Sequence, residues 1–322
     1  MIPNLVSKEL KDTLLDYLDT TFSLQDRTLA SALENFLRDK QRGMFKGPYL
    51  NMKLPFRKHD GVPLDIKPDF TPYKHQMLAF ERLSSQDGHT PESTLITTGT
   101  GSGKTECFLY PIIDHVYRNI GKPGIKALIL YPMNALAFDQ ARRIAGMIYD
   151  DTKLRNNVTA GMYVGGHGKQ RAMGPDFVLT DKEIIQKHPP DILLTNYKML
   201  DYLLMRPEDQ ALWKDNSPES LRYIVLDELH TYDGVQGGDV ACLLRRLRAK
   251  LKAKDGAITP VGTSATLSND DADAMKDLVQ FAQNIFGTGF TIESIITEDR
   301  LEAESTLEDM LENSSLGEAG SK

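Results

Sequence analysis

The chain has 322 residues, 40% hydrophobic and 26% charged, with a formal net charge of −7. These are ordinary values for a globular protein, with room for one large domain or two modest ones. They exclude a globally basic nucleic-acid coat, although a local groove of backbone donors and a few cations can still hold a polyanion. No apolar run approaches the roughly 18–20 residues of a membrane helix, so no membrane partner is expected.

Met1-Ile2-Pro3-Asn4 lacks the basic and apolar regions of a signal peptide. Cys107 and Cys242 have neither metal-ligand spacing nor the makings of a disulfide framework. A reducing, cytoplasmic setting is the expectation.

Residues 5–40 read as helical, with Val6, Leu10, Leu14 and Leu18, then Leu29, Leu33, Phe36 and Leu37, at helical spacing. Residues 43–72, rich in Gly, Pro and basic side chains, read as an irregular lead-in. From Pro72 short apolar runs alternate with helical stretches. The predicted strands are residues 94–97, 127–131, 158–164, 192–195, 223–226 and 258–262. The alternation predicts an α/β fold: a mostly parallel sheet with helices on both faces. After Asp239 an amphipathic helix carries Val240, Leu243, Leu244, Leu247 and Leu251 on one face. The expected organisation is a helical extension and lead-in over 1–69, a compact lobe over 70–290, and an acidic linker or disordered tail over 291–322.

Thr98-Gly99-Thr100-Gly101-Ser102-Gly103-Lys104-Thr105 follows the first of these strands and precedes a helical stretch. Glycines let backbone N–H groups converge on phosphate oxygens, and a helix N-terminus adds a favourable dipole. Lys104 is expected to reach the β- and γ-phosphates of ATP, and the Thr105 hydroxyl to ligate Mg2+. Thr98 stands where the strict pattern has its first glycine. A ligand-free Gly/Ser/Thr loop is the plainer alternative.

At the end of the strand over 223–226 stand Asp227 and Glu228, then Leu229-His230. Ligands of parallel sheets bind beyond the carboxyl ends of strands. Asp227 is therefore expected to hold magnesium and Glu228 to orient or deprotonate the attacking water. The plainer alternative is a solvated acidic pair.

With these two segments in order, residues from about 70 to 267 resemble superfamily 2 helicases of the DExH type, specifically a first RecA-like lobe. Phe70-Thr71-Pro72-Tyr73-Lys74-His75-Gln76 is similar to the adenine-reading segment, which implies Gln76 on the adenine edge with Tyr73 or Phe70 packing nearby. Tyr131-Pro132-Met133-Asn134-Ala135-Leu136-Ala137, Gly165-Gly166 and Thr195-Asn196-Tyr197 resemble segments that contact the nucleic-acid backbone. This implies contacts from Pro132, Asn134, Ala135, Gly165, Gly166, Thr195 and Asn196. Thr263-Ser264-Ala265-Thr266 is similar to the motif that couples the nucleotide site to strand movement, which implies that role for Ser264, Ala265 and Thr266. His230 lies at the family position between the carboxylates and that motif, which implies a catalytic role beside Lys104, Asp227 and Glu228; a satisfied buried histidine is the plainer alternative.

A narrower resemblance, to Hrq1- and MrfA-type DNA helicases and the large helicases of anti-phage systems, rests on Asp227 to Gly234, Gly237-Gly238-Asp239-Val240, Leu243 to Leu247, Thr20-Thr21-Phe22 and Gly47-Pro48-Tyr49-Leu50. The cysteine cluster of many such proteins is absent. The resemblance implies single-stranded nucleic acid as partner. DNA rather than RNA rests on the narrower resemblance alone. It also implies a second RecA-like lobe, in cis or trans, whose arginines are worth roughly 10³–10⁵ in rate in related phosphoryl transfer. Too little chain follows Leu267 for that lobe, so weak ATP hydrolysis is expected of these residues alone. They read as an excised fragment, a split subunit or a truncated product. The competing reading is a nucleotide-regulated interaction module in a defence or repair complex, docked through residues 5–40.

Overall fold

The structure, a computed structural model, describes residues 3–39, 41–45, 54–166, 168–265 and 272–302. The chain divides into two units, Met1–Leu54 and Pro55–Lys322. The first contains the two expected helices, α1 (Pro3–Thr21) and α2 (Arg27–Arg38). Asp26 starts α2 by accepting the Thr28 and Leu29 amides at 2.8 and 3.2 Å, an N-cap that satisfies donors with no partner in the helix. Leu15 is buried, whereas Leu10, Leu14, Tyr17, Leu29, Leu33 and Phe36 are exposed.

The second unit runs through α3 (Lys74–Leu83), β1 (Thr94–Thr97), α4 (Lys104–Arg118), β2 (Ala127–Leu130), α5 (Asn134–Asp150), β3 (Ala160–Tyr163), α6 (Lys182–Lys187), β4 (Ile192–Thr195), α7 (Tyr197–Met205), β5 (Tyr223–Leu226), α8 (Gly234–Leu251), β6 (Thr259–Ser264), α9 (Ala272–Phe286) and β7 (Ile295–Thr297). The strands form one sheet in the order β3-β4-β2-β5-β6-β1-β7, and every pairing is parallel.

Side chains of a strand point alternately to its two faces, and here both faces are covered. Ala127 and Ile129 of β2 join one core with α3, α4 and α5. Leu128 and Leu130 join the other with α6, α7, α8 and α9. Double coverage explains why the strands read as continuous apolar runs rather than alternating ones. Val240, Leu243, Leu244, Leu247 and Leu251 are all buried along α8, which begins before Asp239. No helix among the described residues is long and apolar enough to cross a membrane.

β2 and β3 are one to three residues shorter than expected, and three further boundaries differ more. β6 extends past residue 262, bringing Thr263 and Ser264 to its carboxyl end. The lead-in from Pro55 belongs to the second unit, not to an extension ending at residue 69. Phe56 bridges Arg300, Lys58 bridges Tyr73, and Asp114 of α4 accepts the Asp65 and Ile66 amides at 2.7 and 2.9 Å. Finally, residues 291–302 are not tail: Leu95, Ile96 and Thr97 pair with Ile295, Ile296 and Thr297, making β7 a sheet edge. Residues 303–322 lie outside the described residues, as do Gly47 to Leu50.

Candidate nucleotide site and strand-end rim

Because the strands are parallel, their carboxyl ends share one rim, and the sequence-predicted segments gather there. The turn between β1 and α4 opens with Thr98, which is fully buried and takes no left-handed backbone. Its Oγ1 lies 2.6 Å from Ser102 Oγ, closing the turn with a side-chain contact where a glycine is usual. Gly101 and Gly103 both have φ of 80°, a conformation that favours glycine. Thr100 and Gly101 lie exposed at the tip, and Thr105 is half-buried in the first turn of α4.

Lys104 is the meeting point. Its Nζ donates to the Ser264 carbonyl at 3.2 Å and lies 3.6 Å from Glu228 Oε1. It thus joins α4 to the ends of β5 and β6. Thr263 Oγ1 donates to Asp227 Oδ1 and accepts the Glu228 amide at 3.0 Å. Glu228 itself has φ of 50° and ψ of 55°, a strained region for a residue with a side chain. Asp227 is 6% exposed, and burial pushes its carboxyl above the ordinary range, opposed by the Thr263 hydrogen bond. His230 is half-exposed, its Nδ1 3.3 Å from Ser264 Oγ and 3.5 Å from Glu228 Oε2. Ala265 is exposed, and Thr266 lies outside the described residues.

A buried carboxylate and a helix-start hydroxyl, both oxygen donors, suit an oxygen-preferring divalent cation, whose charge would offset the desolvation of the carboxylate. Asp227 and Thr105 fit that requirement.

The first turn of α3 buttresses the phosphate turn. Gln76 is 2% exposed, its Oε1 accepting the Tyr73 amide at 2.9 Å and its Nε2 donating to the Gly103 carbonyl at 3.3 Å. Its amide keeps one N–H and one lone pair beyond these bonds. His75 Nε2 lies 2.9 Å from the Ser102 carbonyl, so the ring carries its proton there, and burial holds its pKa below the usual value. Tyr73 packs against Phe56 and His75, at centroid distances of 4.9 and 5.6 Å. Phe70 instead meets Tyr110 at 6.0 Å, which separates the two aromatic candidates.

Farther along the rim, Pro132 leads into α5 and Asn134 and Ala135 begin it, both exposed. Asn196 Nδ2 donates to Asn134 Oδ1 at 2.8 Å, while Asn196 Oδ1 caps α7 through the Met199 amide. Thr195 departs from expectation: it is fully buried and its hydroxyl is spent on the Tyr163 carbonyl, so Asn196, not Thr195, presents a side chain at that segment. Gly165 and Gly166 are exposed and, with Phe138, Arg142, Lys169 and Gln170, line a cavity of about 550 Å³.

Two participants were not among the expected site residues. Thr263 stands within the quoted Thr-Ser-Ala-Thr motif, and only the geometry reveals it as the tie between the carboxylates. Glu298 Oε2 accepts the Gly99 amide at 3.0 Å from a stretch read as tail, and no local pattern signals it.

A family model described as DEAD/DEAH box helicase matches residues 73–275. Druantia protein DruE of Escherichia coli (strain UMEA 4076-1) is 26% identical, over 87% of this chain and 21% of its own length. An uncharacterized ATP-dependent helicase of Methanocaldococcus jannaschii is 30% identical, over 70% of this chain and 30% of that protein. The crystal structure of DUF1998 helicase MrfA bound to DNA and AMPPNP superposes with a TM-score of 0.54 at 24% identity, covering 77% of this chain and 31% of that one. At that identity the likeness shows the fold. The chain spans 21–31% of the length of these three proteins.

Proposed function

The chain belongs to the DEAD/DEAH box helicase family, and from that membership we propose that it is the ATP-binding lobe of an ATP-dependent DNA helicase or translocase. The observation that carries this reading is Lys104 Nζ held between the Ser264 carbonyl and the Glu228 carboxylate, which brings phosphate loop, acidic pair and coupling motif to one point.

In this reading the turn from Thr98 to Gly103 and the Lys104 ammonium bind the phosphates, with the Gly99 amide held by Glu298. Tyr73 and Gln76 flank the base. Thr105 and Asp227 hold magnesium, which when bound neutralises charge on the phosphate oxygens. Glu228 orients the attacking water. His230, hydrogen-bonded toward Ser264, links that carboxylate to Ser264, and Ser264, Ala265 and Thr266 are the coupling residues. Pro132, Asn134, Ala135, Gly165, Gly166 and Asn196 follow a single strand by its phosphates, which makes binding salt-sensitive and indifferent to sequence. DNA is favoured over RNA by the likeness to MrfA bound to DNA. A second RecA-like lobe, in cis or trans, completes the transition-state charge, and the setting is cytoplasmic. The test is nucleotide titration of Lys104→Ala beside the parent; undiminished affinity would sink the assignment.

The exposed apolar side chains of α1 and α2 favour a second role, the docking of a defence or repair partner. A pull on such partners by the first unit, lost on changing Leu29 and Phe36 to polar residues, is its test.

A further inference from the structure

We infer that Glu298 is a positioning residue for the phosphate loop: by accepting the Gly99 amide it sets the glycine-rich turn in the pose that receives nucleotide phosphates. The inference rests on the nucleotide-site reading above and adds to it a residue from the far end of the lobe.

The sheet register makes this contact possible. Thr97 pairs with Thr297 in parallel, so the residues that follow each strand emerge side by side at the same rim. One is the start of the phosphate loop; the other is Glu298. The carboxylate is oriented rather than loose. Arg300 Nε donates to Glu298 Oε1 at 2.9 Å, leaving Oε2 for the Gly99 amide at 3.0 Å. Pairing with Arg300 also offsets the negative charge, so the carboxylate can sit beside an anion site as a hydrogen-bond acceptor without strongly repelling phosphates.

The segment carrying Glu298 is itself clamped. Asp299 holds Arg57 at 2.9 Å and Lys74 at 2.7 Å. The Arg300 guanidinium lies 4.0 Å from the Phe56 ring centroid, and Phe56 packs on Tyr73 and His75. His75 reaches the same loop through the Ser102 carbonyl. Gly99 and Ser102 are therefore held by two anchors that belong to one cluster, and the residues between them, Thr100 and Gly101, are left at the exposed tip.

Glycine-rich turns lose much conformational entropy on ordering. An anchor that orders the turn before the ligand arrives raises affinity by removing part of that cost. The carboxylate does this through Gly99; it touches no reacting atom.

The test uses the full chain and fluorescently labelled ADP with magnesium. Glu298→Ala loses the acceptor. Glu298→Asp keeps the charge but shortens the reach. Both are expected to weaken binding about 5–10-fold, the scale of one hydrogen bond, and to speed amide hydrogen exchange over residues 98–103. Glu298→Gln keeps one acceptor oxygen at full reach for the Gly99 amide, its NH2 giving up the Arg300 bond, and is expected to bind within about threefold of the parent. Thermal unfolding of each variant separates loss of fold from loss of pose, and the Asp/Gln pair decides the matter even where Ala does not fold. Equal weakening by Gln and Asp, unchanged binding in Asp, or tighter binding in all three would overturn the positioning role. Lys104→Ala keeps the two readings apart. If that variant binds undiminished, the nucleotide site is wrong. If it fails to bind while Glu298→Asp binds normally, only the role of Glu298 is wrong.

Discussion

The Glu228 amide donates to Thr263 Oγ1 at 3.0 Å, and the same hydroxyl donates onward to the Asp227 carboxylate. One side chain on β6 thus sets two consecutive residues at the end of β5, and the backbone turn between them is fixed from the neighbouring strand. Replacing Thr263 by Val, nearly the same in shape, leaves a buried carboxylate without its donor and an amide without its acceptor. Each such loss costs about 1–3 kcal/mol. The melting temperature is expected to fall by at least about 4 °C, and ATP turnover by at least about tenfold. Thr263→Ser restores both. Calorimetry and a phosphate-release assay check this; a Val variant that melts and turns over like the parent would refute it.

Lys104 and Glu228 sit 3.6 Å apart but are expected to fail differently. Lys104→Ala removes a charge-assisted contact to phosphate and is expected to weaken ATP binding about 10–100-fold. Glu228→Gln spares binding and blocks hydrolysis, because its role is confined to the water. Parallel titrations and single-turnover measurements separate the two.

Asp227 carries a carboxyl whose pKa is raised by burial, and the sign of its effect on stability follows. A carboxyl with a folded pKa above its unfolded one binds its proton more tightly when folded. Stability is therefore highest below the unfolded pKa and declines as pH rises through the folded one. Asp227→Asn removes that penalty. It is expected to raise the melting temperature of the nucleotide-free chain by about 1–3 °C at neutral pH, the gain vanishing toward pH of about 4, while magnesium-dependent nucleotide binding is lost. Melting curves across pH, with and without ADP and magnesium, report both.

Asn134 and Asn196 are joined at 2.8 Å across the rim, yet only Asn196 also caps a helix. Asn134→Ala is expected to weaken single-strand binding a few-fold without changing stability. Asn196→Ala is expected to do the same and to lose about 1 kcal/mol of stability with the cap. Anisotropy titrations with a labelled oligonucleotide at two salt concentrations, paired with melting curves, distinguish them. Equal stability of the two variants would count against the division of labour.

Much of this arrangement was legible residue by residue. β1, β4 and β5 fall where their apolar runs lie, because burial on both faces removes the polar alternation that blurs a strand's ends. The phosphate turn and the acidic pair announce themselves through local chemistry. β7 does not: Ile295-Ile296-Thr297 is three residues long in acidic surroundings and is a strand only because β1 offers an edge. The bond from Gly99 to Glu298 joins residues far apart in sequence, and no window along the chain contains both. Thr195 misled for the opposite reason. A strand-end threonine looks available for contacts, but its hydroxyl turns into the sheet to meet the Tyr163 carbonyl.

The left-handed backbone at Glu228 bears on how this position would drift. Such a conformation costs a residue with a side chain on the order of 1–3 kcal/mol, and Gly or Asn would relieve it. Random variants screened for solubility or heat resistance alone would therefore accumulate Gly or Asn at 228, trading the carboxylate for an easier turn. Passaging a library of this chain with and without a demand for turnover, then sequencing codon 228, would turn one torsion angle into a record of which demand had been applied.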